Sequence, residues 1–194
     1  MSFFKTVGGR VDIDNLAEMK VLADGTVVVS ATDDRIETKL DNAIVSGDSY
    51  MVTDHVEADN KGFYVVYVTV PDDVTTLFFI DWSFATQQEG TINLFEGATV
   101  VGIPNALVIE NRNRNSANTT AVSAERLGYV SGSEPAVGGT SIYQHYFPRD
   151  MPARHPDGGR LILQNDTIYA FKFDASNTKD NEISVRIDLV EIAA

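Results

Sequence analysis

The 194-residue chain is 43% hydrophobic and carries 28 acidic against 15 basic residues, for a net charge of -13. This apolar content is enough to build one large core, so we expect a single domain, with or without an arm. The negative charge repels phosphate backbones and anionic headgroups, so neither nucleic acid nor a membrane surface is an expected partner. Because there are no cysteines, disulfides and thiolate metal sites are excluded.

The first 48 residues have the pattern of an arm outside the main domain. They contain one predicted hairpin, from Val21 to Val29, which would turn on Asp24-Gly25. Lys5 and Arg10 lie close together for so acidic a chain, and we predict that this arm contacts a neighbouring subunit. The opening stretch has no signal-peptide pattern, and no apolar run reaches the about 20 residues of a membrane span, so we expect neither secretion nor a membrane span.

Residues 49–194 carry a succession of strand patterns. Residues 63–70 are apolar on both faces, as in a central strand, and residues 78–84 alternate apolar with polar side chains, with Trp82 in the core register. Further strands are predicted at 91–95, 169–173 and 183–189, the last two as an antiparallel pair. Helical signals are short, such as that at 39–44. We therefore predict an all-β fold, an antiparallel β-sandwich of jelly-roll-like type with an N-terminal arm.

Two arginines stand close together after the apolar run 106–109. In an extended chain Arg112 and Arg114 would share one face. A guanidinium group holds a carboxylate through two hydrogen bonds, so the pair is expected to serve a carboxylate. That carboxylate is either local, Glu110 or Glu125, which would brace the sandwich, or it belongs to a partner.

Asparagines alternate with these arginines. Asn111, Asn113 and Asn115 lie on the opposite face of the same segment. Asparagine side chains satisfy loop backbone groups and tolerate turn conformations. They are predicted to fix the shape of the segment that presents the arginines.

Residues 143–160 are interpreted as a long loop. The segment combines aromatic with arginine residues, the usual anchors of protein interfaces, and we predict a second contact surface there. Its principal members are Tyr146, Phe147, Arg149 and Arg154. The alternative is a loop folded over its own sandwich.

Catalytic and metal-binding patterns are not found in the sequence. His55, His145 and His155 form no His-x-His pair, and the acidic residues do not match a calcium loop. Nucleophile-elbow and phosphate-binding glycine motifs do not occur. We therefore expect no cofactor, no metal and no enzymatic activity, and keep a jelly-roll enzyme as a distant alternative.

Four segments, taken in order, resemble tailed-bacteriophage virion structural proteins of the capsid auxiliary or decoration type. They are residues 42–50 (NAIVSGDSY), 91–97 (TINLFEG), 111–116 (NRNRNS) and 161–169 (LILQNDTIY). The resemblance covers about residues 40–192, and the sequence departs from the family pattern at 145–160, which is longer and rich in proline.

The resemblance implies a role as well as a fold. It implies a non-enzymatic protein on the capsid surface of a virion, made in the host cytoplasm. Its partners would be the major capsid protein and neighbouring copies of itself, in a homo-oligomer for which a trimer is one option. The alternative function is a tail or fibre component that binds a host glycan.

Overall fold

The computed structural model describes residues 16–21, 27–31, 42–58, 62–131, 136–149, 151–154, 161–176 and 181–193. The chain divides into two compact units, residues 1–42 and 43–194. In the first unit, β1 (Leu16–Val21) pairs antiparallel with β2 (Val27–Ala31), so that Val21 faces Val27. The predicted turn at Asp24 and Gly25 lies outside the described residues.

A short helical turn at residues 42–46 spans the boundary, and the second unit continues as strands. The strands are β3 (Ser49–Ala58), β4 (Gly62–Val70), β5 (Thr76–Thr86), β6 (Gly90–Glu96), β7 (Asn105–Ala106), β8 (Ile109–Asn111), β9 (Ser123–Ser131), β10 (Thr140–Phe147), β11 (Met151–Arg154), β12 (Leu161–Leu163), β13 (Thr167–Ala175) and β14 (Asn181–Ala193).

These strands form two antiparallel sheets. Sheet I has the order β10-β6-β13-β4-β9-β7, and sheet II has the order β11-β5-β14-β3-β8, with β12 also paired to β5. The two sheets pack face to face, and the predicted all-β sandwich is confirmed. The interior position of β4, between β13 and β9, matches the run of apolar residues on both of its faces.

The core lies between the sheets and consists of the inward half of each alternating strand. On β5 the residues Phe78, Ile80, Trp82 and Phe84 are all buried, as their period-two spacing predicts. Trp82 packs edge-on against Phe171 of the opposite sheet, with ring centroids 5.2 Å apart. Core packing of Trp82 is therefore the correct interpretation, and a sugar-stacking role is not.

The predicted pairing of the last two strands is wrong. β13 lies in sheet I between β4 and β6, whereas β14 lies in sheet II between β5 and β3. Both strands turn mostly apolar side chains inward, and the two inward faces meet across the core instead of lying side by side. The alternation of side chains predicts each strand correctly, but it does not reveal which sheet a strand joins.

The interpretation of 143–160 as a loop is also wrong over much of its length. Residues 140–147 form β10, the edge strand of sheet I, and 151–154 form β11, which pairs with β5. Tyr143, His145 and Phe147 alternate along β10 and point towards the core, which is the strand pattern that the prolines nearby obscured.

Candidate functional site: interaction surfaces of the sandwich

The asparagine-rich segment after β8 is fastened to the start of the domain. The Asn111 side-chain amide donates to the Gly47 carbonyl at 2.7 Å and to the Asn118 carbonyl at 3.0 Å. The Asn113 amide donates to the Val45 carbonyl at 2.8 Å, and its own backbone N–H donates to Asn111 Oδ1 at 2.8 Å. The asparagines thus fix the shape of the segment, as their chemistry predicts.

Gly47 permits this close contact. Its φ of 87° lies in the left-handed region, and a Cβ atom there would stand 2.1 Å from Ser116 Oγ. Asn118 closes the other side by donating to the Ser46 carbonyl at 3.2 Å. The segment 111–118 and the helical turn at 42–46 therefore form one hydrogen-bonded unit, which we call the asparagine clasp.

The two arginines make intrachain ion pairs, one of them as predicted. Arg114 reaches Glu110 at 3.1 Å, but the two side chains are 73% and 50% exposed. Arg112 lies 3.9 Å from Asp188, a partner that the sequence did not indicate. The Arg114 pair is exposed and the Arg112 pair is long, so neither stabilises the fold much, and the bracing of this region comes from the asparagines.

A more buried ion pair was missed by the sequence reasoning. Arg126 on β9 donates to both carboxylate oxygens of Asp54 on β3, at 2.9 and 3.2 Å, and so joins the two sheets. The Tyr64 hydroxyl donates to the same carboxylate at 2.7 Å, and burial with this hydrogen bond raises the pKa of Tyr64 far above its usual range. The available signal was Asp54 itself, an acidic residue at an inward position between Val52 and Val56.

The outer face of sheet I is covered by its own chain. Val65, Tyr67 and Ala170 point away from the main core but are almost fully buried. The loop after β6 passes over them, where Ala98 packs against the sheet and the Val101 N–H donates to the Tyr67 hydroxyl at 3.2 Å. A second, smaller core results.

The outer face of sheet II carries apolar side chains that nothing in the described part of the chain covers to the same extent. Phe79 pairs with Val190 on one side and Ile162 on the other, and Leu77 pairs with Ile192. Directly opposed residues share a face, so these five form a contiguous outer patch. Ile162 is 61% exposed and Leu77 is 40% exposed, whereas Val190 is 8% exposed, so the open part of the patch lies on β5 and β12. We call these five residues the outer patch.

Charged residues border this outer patch along the same face. Arg186 donates to Asp188 at 2.9 and 3.0 Å, and Asp188 lies opposite Asp81 on β5 and Met51 on β3. The face thus changes from apolar at one end of the strands to ion-paired in the middle. Alternating strands normally place polar residues on an outer face, so the apolar end is the departure that indicates an interaction surface.

The predicted contact residues of 143–160 lie in different environments in the structure, some in the core and some on the surface. Phe147 is 3% exposed and packs against Phe84 with ring centroids 5.4 Å apart, so it is a core residue and presents no contact surface. Tyr146 is half exposed, and its hydroxyl donates to Glu89, which raises the pKa of Tyr146. Arg149 is exposed after β10, and the backbone of Arg154 ends β11. Lys5 and Arg10 lie outside the described residues.

His55 and His145, the two histidines that the structure describes, lie on different sheets. His55 lies on the outer face of sheet II, with Nδ1 2.9 Å from Ser184 Oγ, while His145 lies in sheet I between the rings of Tyr143 and Phe147. His155 is outside the described residues. Within the described ranges, no group of three or more histidine and acidic side chains is placed to hold a metal ion.

An open groove of about 270 Å³ lies beside the asparagine clasp. Tyr50, Leu107 and Ile109 supply apolar wall, and Thr119 and Glu125 are among its polar lining. Burial, with the nearby charges of Glu191 and Asp48, raises the pKa of Tyr50 to about 12, so its hydroxyl is protonated at neutral pH. The groove offers an apolar wall with hydrogen-bonding groups around it.

Comparisons with known proteins do not assign a family. A scan against protein-family models and a search of curated proteins both return no significant match. None of the helices in the described ranges has the length and apolarity needed to span a bilayer. The resemblance to phage virion proteins therefore rests on the sequence segments alone.

Proposed function

We propose that this chain is a non-enzymatic structural protein of a tailed-bacteriophage virion, a capsid decoration protein that binds the major capsid protein on the outside of the shell. The observation that supports the proposal most is the outer patch on sheet II. Ile162 and Leu77 expose apolar surface to water at the end of a rigid sheet, a cost that contact with another protein removes. The four resembling segments supply the identity of the partner.

The shape of the outer patch suits a protein surface better than a small ligand. It lies on the outer side of three paired strands, β12, β5 and β14, and not in a cleft. Small molecules bind in concave sites, whereas standard protein contacts use such faces. Each contact need not be strong, because copies arrayed on a shell gain affinity from multivalency.

The location of the protein gives the first test. Particles are separated into tailless heads and isolated tails, and the chain is quantified in each fraction. We expect it on the heads. Recovery on tails alone would contradict the proposal.

The contact itself is tested with a charge placed in the outer patch. Ile162→Glu should lower occupancy on heads by about tenfold or more, since a charge buried in an apolar contact costs well over the ~1.4 kcal/mol that a tenfold change represents. Thr53→Glu adds the same charge at an exposed position of the same face and is the matched control. Equal occupancy of the two variants would show that the outer patch does not bind the shell.

A tail or fibre protein that binds a host glycan is the second candidate, supported by the groove beside the asparagine clasp. Leu107 and Ile109 give an apolar wall, and Thr119 and Glu125 give polar groups around it, a combination that can hold a small polar ligand. This candidate would be favoured over the first if the protein were recovered on tails alone. Thr119→Ala and Glu125→Ala should then reduce binding to the host.

A further inference from the structure

β10 leaves one long edge of sheet I unpaired within the described part of the chain. The strand runs from Thr140 to Phe147 and hydrogen-bonds to β6 on one side only. Its sequence, TSIYQHYF, contains no Asp, Glu, Lys, Arg or Pro. An edge strand presents a row of free backbone donors and acceptors, and charge or proline is what usually prevents another strand from adding there.

The other edges of the two sheets are less suited to strand addition. β7 ends sheet I with two residues, and β8 ends sheet II with three. The remaining edge is divided between β11, which contains Pro152, and the three-residue β12. Short strands, proline and bulges protect sheet edges, and β10 has only the last of these, a bulge between Ser141 and Tyr143.

We propose that β10 pairs antiparallel with β10 of a second copy of this chain, so that two copies form a two-fold dimer with their sheets I joined edge to edge. A second copy is the occupant because β10 is complementary to itself, and the absence of charged side chains on the strand makes this edge a place where two copies can meet. At a net charge of -13 two copies repel one another over most of their surface. The uncharged β10 edge lets them meet without placing like charges opposite each other.

The residues of β10 are complementary to themselves in a register centred on Gln144. That register places Ile142 opposite Tyr146 of the other copy, on both sides of the axis. These two side chains are 41% and 53% exposed, and the pairing covers each of them. The bulge falls at Ile142, between Ser141 and Tyr143, and leaves 143–147 regularly paired with β6, so Gln144 at the axis and Tyr146 lie in the regular part of the strand.

A cysteine at the axis tests the register directly, because the chain has no cysteine of its own. Residues directly opposed in antiparallel strands have Cα atoms about 4.5 or 5.5 Å apart, within the about 4.4–6.8 Å that a disulfide spans. We expect full-length Gln144→Cys to form covalent dimers under mild oxidation. Thr53→Cys, exposed on the other sheet, is the control and should form no covalent dimer.

The mass of the unmodified protein is the second measurement. Sedimentation of the full chain over a dilution series should show a species of twice 21.2 kDa that dissociates on dilution. Ile142→Lys with Tyr146→Lys should shift the equilibrium to the monomer, since lysines would oppose each other across the axis. Unchanged far-ultraviolet circular dichroism will show that this variant is folded.

Three results would overturn the proposal: a monomer at every concentration, a trimer, or a dimer that neither cross-links through Gln144→Cys nor responds to the lysines. If the lysine variant does not fold, the cross-link decides alone. All of these measurements use isolated protein, so they succeed or fail independently of binding to a phage shell.

Discussion

The outer faces of the two sheets differ in how the chain treats similar apolar residues. On sheet I, Val65 and Tyr67 point outward and are buried by the loop that carries Ala98. On sheet II, Leu77 and Ile162 also point outward, and both remain exposed. A strand that is apolar on both faces therefore does not by itself determine whether its outer face is a second core or an interface. The loop that follows decides it.

The largest expected effect is a difference in the free energy of unfolding between a variant on one outer face and a variant on the other. Tyr67→Ala should lower the free energy of unfolding by about 3–5 kcal/mol, the usual cost of removing a buried aromatic side chain. Ile162→Ser should change it by less than about 0.5 kcal/mol, since this side chain already meets water. Urea unfolding followed by tryptophan fluorescence measures both variants. If the two variants lost similar amounts of unfolding free energy, the outer faces of the two sheets would not differ in how they are covered.

The next effect tests whether the sheets are held together by more than their facing cores. Arg126→Gln should cost about 2 kcal/mol, less than the ~3–5 kcal/mol of a fully buried pair because 29% of the Arg126 side chain is exposed. The loss arises because the Asp54 carboxylate stays buried without its cation.

A double-mutant cycle with Asp54→Asn is the control for that pair. We expect the double variant to be less destabilised than the sum of the single variants, because the ion pair is lost only once. Simple addition of the two losses would mean that the residues act separately and that Arg126 does not join the sheets.

A smaller effect distinguishes the two kinds of residue in the NRNRNS motif. Asn111→Ala should cost about 1–3 kcal/mol, because the Gly47 carbonyl loses its donor and the turn at Asn113 loses its acceptor. Arg114→Gln should cost under about 0.5 kcal/mol, because its pair with Glu110 is exposed. Thermal melts of the two variants give the comparison. A larger loss of stability in Arg114→Gln than in Asn111→Ala would show that the arginines, and not the asparagines, brace this region.

The alternation of side chains predicted much of the sandwich. Phe78, Ile80, Trp82 and Phe84 lie in the core because period two places them on one face, and a local pattern is sufficient for that inference. Sheet membership is different, since it depends on pairing between distant segments. The assignment of β13 and β14 to different sheets follows from contacts that neighbouring residues do not encode.

The interaction surfaces were less accessible from the sequence for the same reason. The outer patch forms because Phe79 meets Ile162 and Val190, residues far apart along the chain. The run Leu77 to Ile80 is the one local indication of the outer patch, because four successive apolar residues in a strand place two on the outer face. The asparagine clasp was predicted as a local shape, but its attachment to Val45 and Gly47 was not.

The smallest expected effect is a pH dependence at the end of β14. Burial raises the pKa of Glu191 above its usual 4.5, and the charges of Asp48 and Asp73 act in the same direction, while a hydrogen bond from Thr120 opposes them. A carboxyl with a raised pKa holds its proton more tightly in the folded state than in the unfolded chain. Stability should therefore fall as the pH rises from 4.5 through the folded pKa, and then level off.

Glu191→Gln should remove this part of the pH dependence, because the amide stays neutral and its oxygen still accepts the hydrogen bond from Thr120. Melting temperatures between about pH 4 and pH 7 measure the slope. Glu182→Gln, which removes one negative charge from the exposed side of the same strand, is the matched control. We expect the Glu191 variant to match the wild type at the acid end and to melt slightly higher near neutrality. An identical slope in both proteins would mean that the fold does not disfavour the ionised form of Glu191.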